Sequence, residues 1–256
     1  MIDYELRGHV AVITINRPEA RNAVNGEVAN GIEAAIDRLE ADDDVWLGVL
    51  CGEGSVFCAG ADLKAINEGR GGELLTARGG FAGFVQRERT KPVIAAVEGP
   101  AVAGARAAAP DAGAACEPAA VPGDVPSAAP AERHLRRGLA CDLVVASTAA
   151  RFGIPEVKRS LVAAGGGLWR LPRKVPVNLA MELTLTGDPI EAERAHHFGL
   201  VNDLCEPGEA LDRALALADR IAANAQLAVR ESRQILLRYE ELDLGTCVDQ
   251  SNGAIM

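Results

Sequence analysis

Three short segments carry residues whose types and spacing could do chemistry. In Phe57-Cys58-Ala59-Gly60-Ala61-Asp62-Leu63-Lys64, an apolar run at 46–51 feeds a glycine-containing turn, and a helix is expected to follow. Small residues at 59–61 let a ligand reach the backbone, and N–H groups at a helix start point outward as donors. Glu98-Gly99-Pro100-Ala101-Val102-Ala103-Gly104 repeats the arrangement after a second apolar run. Two converging backbone N–H groups are what an oxyanion hole needs; losing one such donor costs roughly 3 kcal/mol of transition-state stabilisation. The third segment is Phe152-Gly153-Ile154-Pro155-Glu156, followed by a small-residue run at 163–167 and then Leu168-Trp169. A carboxyl beside Pro and Ile, just past a strand, would be partly buried. Burial lifts its pKa above the usual value of about 4.3 and suits it to proton transfer. Each segment alone also has a plainer explanation. Small-residue turns are common at strand ends, where they serve packing, and most glutamates are solvated.

These residues need rigid elements behind them. Residues 9–15 are apolar and β-branched, and Asn16-Arg17-Pro18 ends the run, so a strand is predicted. Asn25 can cap a helix through Ala41, with Val28, Ile32, Ile36 and Leu39 on one face. Trp46–Cys51, Pro92–Val97 and Asp142–Ala146 read as further strands. The recurrence of strand, turn and helix predicts an α/β fold with mainly parallel strands. From Pro176 the chain is helix-rich. Residues 207–223 place Leu211, Leu215, Ala218 and Ile221 on one stripe, and 225–240 read as another helix. The expected organisation is a core over 1–175 and a helical, oligomerisation-type domain over 176–256. Segment 105–138 is rich in Ala, Pro and Gly with almost no large apolar residues, and reads as an irregular insertion in the core.

Composition excludes several functions. The 256 residues carry a net charge of −10, which argues against a nucleic-acid partner. A phosphorylated ligand would need local Lys, Arg or backbone N–H groups. No apolar stretch is long enough to cross a bilayer, and the N-terminus lacks a secretion signal, so a cytoplasmic protein is expected. The six cysteines form no C-x-x-C pair and lack metal spacing with the four histidines. They read as reduced small hydrophobes, with no metal site. Trp46 and Trp169 read as core, His196-His197 as a helix end packing on the core, and Asp42-Asp43-Asp44 as a solvated loop.

Together, ordered segments along nearly the whole chain outside 105–138 resemble the crotonase (enoyl-CoA hydratase/isomerase) family. They are NRPEARNAV (16–24), FCAGADLK (57–64), KPVIAAVEGPAVAG (91–104), ACDLVVAS (140–147), FGIPEVKRSLVAAGGG (152–167) and LTGDPIEAERAHHFGLVN (185–202). The resemblance implies a superhelix of strand-strand-helix repeats followed by a helical domain, assembled as a trimer or hexamer. It implies an acyl-CoA thioester substrate, with coenzyme A entering as part of that substrate and no separate cofactor. The thioester carbonyl would accept hydrogen bonds from the N–H groups of Ala61 and Gly104. Ala59, Ala61, Asp62 and Lys64 would contact the CoA, Ala59 at the adenine and Lys64 near the phosphates. Glu156 would exchange a proton at the substrate α-carbon.

The pattern breaks at one point that bears on activity. Hydratases of this family use a second glutamate, just beyond the second oxyanion glycine, to hold the added water. Ala107 stands at that position, and counting back from Ala140-Cys141-Asp142 puts Arg136 there instead. Segment 105–138 would replace the helix that this glycine normally begins, removing the help its dipole gives the carbonyl. Glu117 or Glu132 would be a poor substitute from an irregular loop. The resemblance also implies a further C-terminal helix with Phe and Lys residues that close the CoA pocket, which this sequence does not show. Three readings are open: an enoyl-CoA hydratase of fatty-acid degradation, a one-glutamate enoyl-CoA isomerase using Glu156, and a non-catalytic acyl-CoA-binding protein.

Overall fold

The apolar run after His9 forms the second strand of a six-stranded main sheet. A computed structural model describes residues 1–102, 140–160, 162–163, 166–238 and 246. Strand β1 (Ile2–Arg7) forms an antiparallel hairpin with β2 (Val10–Ile15). Beyond β2, strands β3 (Leu47–Gly52), β6 (Val93–Val97), β8 (Leu143–Ser147) and β11 (Asp203–Cys205) run in parallel, in the order β1-β2-β3-β6-β8-β11. Each central strand is buried on both faces, which is why its sequence is a continuous apolar run without alternation.

Each face of this sheet is covered by a different element. Helix α1 (Gly26–Ala41) starts at Asn25, whose Oδ1 accepts the Val28 N–H at 2.9 Å. Its predicted stripe of Val28, Ile32, Ile36 and Leu39 is buried with Ile13, Leu50 and Ala95. The last turn is held by Lys91, whose Nζ donates to the Leu39 carbonyl at 2.7 Å and to that of Asp42. That lysine is 1% exposed, and its ammonium meets carbonyls at the end of the helix, where the macrodipole favours a cation; the Asp42 carbonyl also accepts the Val45 N–H at 3.1 Å. On the opposite face lies α6 (Ala210–Ala222), against Val12, Val49, Ile94 and Val145.

The remaining elements are short. They are α2 (Leu63–Asn67), the hairpin of β4 (Leu75–Thr76) and β5 (Gly80–Phe81), α3 (Gly167–Lys174), α4 (Val177–Thr186), α5 (Ala192–His197) and α7 (Gln226–Arg238). A second sheet joins β7 (Ala101–Val102), β9 (Arg151–Gly153) and β10 (Ile190–Glu191) in the order β10-β9-β7.

Several expectations are corrected. Strand β1 was not anticipated, because Asp3, Glu5 and Arg7 mask a weak apolar alternation. The region after Pro176 is not purely helical: β10 and β11 return to the two sheets. Helix α6 buries Ala210, Ala214 and Ala218, while Leu211, Leu215 and Ile221 are only partly buried beside them. Small residues face the sheet because they allow close approach. His196 and His197 are exposed, and it is Ala195 that packs inward. Trp46 does pack against the core, as expected, half-buried and with its ring stacked on His9 at 3.5 Å between centroids. The predicted insertion and the end of the chain, apart from Thr246, lie outside the described residues.

Helix α7 is tied to the core by charge. Asp142 accepts the Val93 N–H at 2.8 Å and Arg233 Nε at 2.9 Å, and lies 3.5 Å from Arg89. Burial alone would raise the Asp142 carboxyl, but the two guanidiniums hold it below the usual range. Its folded pKa is therefore depressed, so this stabilisation is present above the unfolded carboxylate range and is lost as pH falls. Asp142→Ala would leave Arg89 buried without its carboxylate. Urea unfolding should show a loss of about 3–5 kcal/mol near neutral pH.

Candidate active site

The site is built where three chain segments run parallel. Cys58 bridges to Ala101 in parallel, and Ala101 pairs with Phe152 in the parallel β7–β9 ladder. Cys58, Ala101 and Phe152 therefore form one row, and all three segments leave it in the same direction. The first reaches Ala61 and the third reaches Glu156. The second heads for Gly104, which lies outside the described residues, as do Ala107, Glu117, Glu132 and Arg136.

Ala61 is placed by a further bridge, to Val24. The Val24 N–H donates to the Gly60 carbonyl at 2.7 Å, and the Asp62 N–H donates to the Val24 carbonyl at 2.9 Å. In this pattern the flanking residues make the bonds. Among the described residues the Ala61 N–H has no partner. An unpaired backbone donor is uncommon in a protein interior, and here it borders a cavity.

Two polar groups hold the turn in this register. The Arg17 guanidinium donates to Asp62 at 2.7 Å and to the Ala23 carbonyl at 3.0 Å. Asn22 is fully buried; its Oδ1 accepts the Arg17 N–H, and its Nδ2 donates to the carbonyls of Glu53 and Val56. Gly52 is required beside them, because an added Cβ would lie 2.4 Å from the Phe57 carbonyl oxygen. Asp62 also caps α2 by accepting the Lys64 and Ala65 N–H groups. Burial pushes the Asp62 carboxyl up, but Arg17 and these N–H groups outweigh it and hold it below its ordinary value.

The cavity has a volume of about 480 Å³ and is mainly apolar, with Leu63, Leu74, Phe81 and Ile154 in its wall. Glu156 lies in the first turn of a short helix, Pro155–Arg159, and lines the same cavity as Ala61. It is half-buried, and its Oε2 is shielded from solvent without a hydrogen-bond partner. Burial pushes its carboxyl above the ordinary range, opposed only by its own N–H. Among the described residues, Glu156 is the one carboxylate bordering this cavity. A neighbouring groove of about 770 Å³ meets it at Pro155 and Arg159 and is bordered by Ala59, Arg21 and Lys158.

The expected residues are therefore partly gathered. Ala61 and Glu156 share one cavity and Ala59 borders the adjoining groove, while Lys64 is exposed on α2 and lines neither. Asp62 faces Arg17 and its own helix. The Arg17–Asn22 staple was missed, although NRPEARN already carried it as an Arg and an Asn flanking a proline turn. Among the described residues no cluster of His, Cys, Asp or Glu could hold a metal ion, and no helix is long and apolar enough to cross a membrane.

Fold and cavity define a crotonase-type α/β scaffold. The chain belongs to the enoyl-CoA hydratase/isomerase family, whose sequence pattern it matches over residues 5–109 and 135–252. It is 38% identical over 233 residues to the enoyl-CoA hydratase EchA19 of Mycobacterium tuberculosis, covering 88% of this chain and 76% of that protein. It is 34% identical over 252 residues to a short-chain-enoyl-CoA hydratase of Clostridium acetobutylicum, covering 95% and 84%. A crystal structure of an enoyl-CoA hydratase from M. tuberculosis superposes with a TM-score of 0.81 at 43% identity, covering 100% of this chain and 88% of that one.

The staple gives a direct test. Asp62→Ala removes both the cap and the Arg17 partner and should cost about 1–3 kcal/mol of stability in thermal or urea unfolding. Asp62→Asn keeps a capping oxygen and should lose clearly less.

Proposed function

We propose that the chain is an enoyl-CoA hydratase that adds water to trans-2-enoyl-CoA thioesters in fatty-acid degradation. The observation that carries this reading is a free Ala61 N–H and a partly buried Glu156 on one apolar cavity. The acyl chain would lie in the cavity with its thioester oxygen toward Ala61 and Gly104. Two amide donors there stabilise the enolate that forms as water adds at the β-carbon. Glu156 delivers its proton to the α-carbon, and the proton that the adding water gives up at the β-carbon restores the Glu156 carboxyl. Ala59, Arg21 and Lys64 would meet the CoA, the two cations facing its phosphates.

Because Glu156 is the one cavity carboxylate among the described residues, a second reading is favoured beside it. A one-base isomerase would use Glu156 to move a proton between two carbons of a dienolate, with no bound water. The two reactions need opposite protonation states. Hydration consumes protonated Glu156, so its rate should fall as pH rises through the raised pKa. Isomerisation needs the carboxylate, so its rate should fall as pH drops. With crotonyl-CoA, loss of the conjugated-thioester absorbance should be rapid, and Glu156→Gln should slow it by roughly 100-fold or more. No loss above that variant's background, together with turnover of a 3-enoyl-CoA, would select the isomerase. Binding without either reaction would leave a non-catalytic acyl-CoA-binding protein.

A homotrimer or hexamer is part of the same proposal. Helix α4 leaves Val177 58%, Met181 55% and Leu185 69% exposed, spaced four residues apart on one face. Such a stripe is more apolar than a solvated helix needs. Light scattering should give a mass that is a multiple of three chains, and Met181→Glu should lower it.

A further inference from the structure

One wall of the cavity is held by charges that do not border it. Leu75, Phe81, Val85 and Gln86 line the cavity from a segment running over 75–87. This segment lies on α1 through two carboxylates. Glu33 accepts the Thr76 hydroxyl, the Gly79 N–H at 2.8 Å and Arg78 at 3.2 Å. Asp37 accepts Arg78 at 3.1 Å and Arg87 at 2.7 Å. Burial raises the Glu33 carboxyl, but these donors outweigh it and keep it ionised.

The fit is close. An added Cβ at Gly83 would stand 2.0 Å from the Ala29 carbonyl oxygen, and Gly83 has φ +66°. Ala82 also takes a positive φ, 59°, a conformation that a side chain adopts only when its surroundings impose it. At the far end, Arg170 donates to the Val85 carbonyl at 2.5 Å. The polar face of the segment is fixed to α1, and its apolar face is what a ligand in the cavity would meet.

We propose that Glu33 is a positioning residue that sets acyl-chain selectivity, by fixing residues 75–87 as the cavity wall. This rests on the reading of the cavity as an acyl-thioester site. A short acyl group near Ala61 would not reach the wall, whereas a long one would press on it. Loosening the clamp should therefore change long-chain binding and spare short-chain binding.

The test uses saturated, unreactive butyryl-CoA and decanoyl-CoA, titrated calorimetrically into the full chain. Glu33→Gln should change the ratio of the two Kd values by about fivefold or more, within the range pocket contacts can discriminate, with butyryl-CoA moving less than about twofold. Thr76→Val removes one donor to Glu33 and should shift the ratio the same way, and Thr76→Ser should restore it. A purely structural role would lower the melting temperature without moving the ratio. If the wild type binds both thioesters and neither Glu33→Gln nor Thr76→Val changes the ratio, the wall inference is overturned and the acyl-site reading survives. If the wild type binds neither thioester, both fall.

Discussion

The parallel register of Cys58, Ala101 and Phe152 is the constraint on which the rest of the molecule depends. Parallel strands deliver their ends to the same edge, so the residues just past each strand must meet there. Three residues beyond Cys58 is Ala61, and four beyond Phe152 is Glu156. The register thus sets an amide donor and a carboxyl on one cavity without any long-range side-chain contact between them. An antiparallel pairing would send one of the two groups to the opposite edge.

Such a register needs fixed neighbours, and the protein supplies them with few buried polar groups. Asn22 and the Arg17–Asp62 pair tie the turn before α1 to the turn before α2. That tie keeps the Val24 bridge in place, and the bridge uses the bonds of Gly60 and Asp62 while leaving Ala61 free. Behind the turns, Lys91 ends α1 and Asp142 anchors α7. Each of these charges meets specific partners, as a buried charge must. Between them the core is built from Val, Ile, Leu and Ala, with aromatics at 4% of the chain.

Much of this was legible in the sequence where a single segment holds the signal. Asn25 and the stripe from Val28 to Leu39 gave α1 and its cap, and continuous apolar runs gave β2, β3, β6 and β8. The family resemblance marked Ala61 and Glu156, and the apolar surroundings of Glu156 implied its raised pKa. The features that could not be read depend on partners distant in sequence. Strands β7, β9, β10 and β11 are two or three residues long and exist only because another segment pairs with them. Of the stripe expected on α6, Ala218 is fully buried, while Leu211, Leu215 and Ile221 sit beside it; the close approach of the sheet selects Ala210 and Ala214 as its companions. The pairing of Asp62 with Arg17, 45 residues earlier, has no local signature. The clamp of Glu33 on Thr76 and Gly79 spans 43 and 46 residues and leaves no local pattern.

The chemistry proposed for this site places the thioester oxygen on the Ala61 amide, with the α-carbon facing Glu156. The most direct measurement is a crystal structure with bound butyryl-CoA. The expected result is a thioester oxygen about 2.7–3.1 Å from the Ala61 nitrogen, the α-carbon toward the Glu156 carboxyl, and the acyl chain in the apolar cavity. A thioester bound with its carbonyl turned away from Ala61, or an acyl chain outside the cavity, would contradict it.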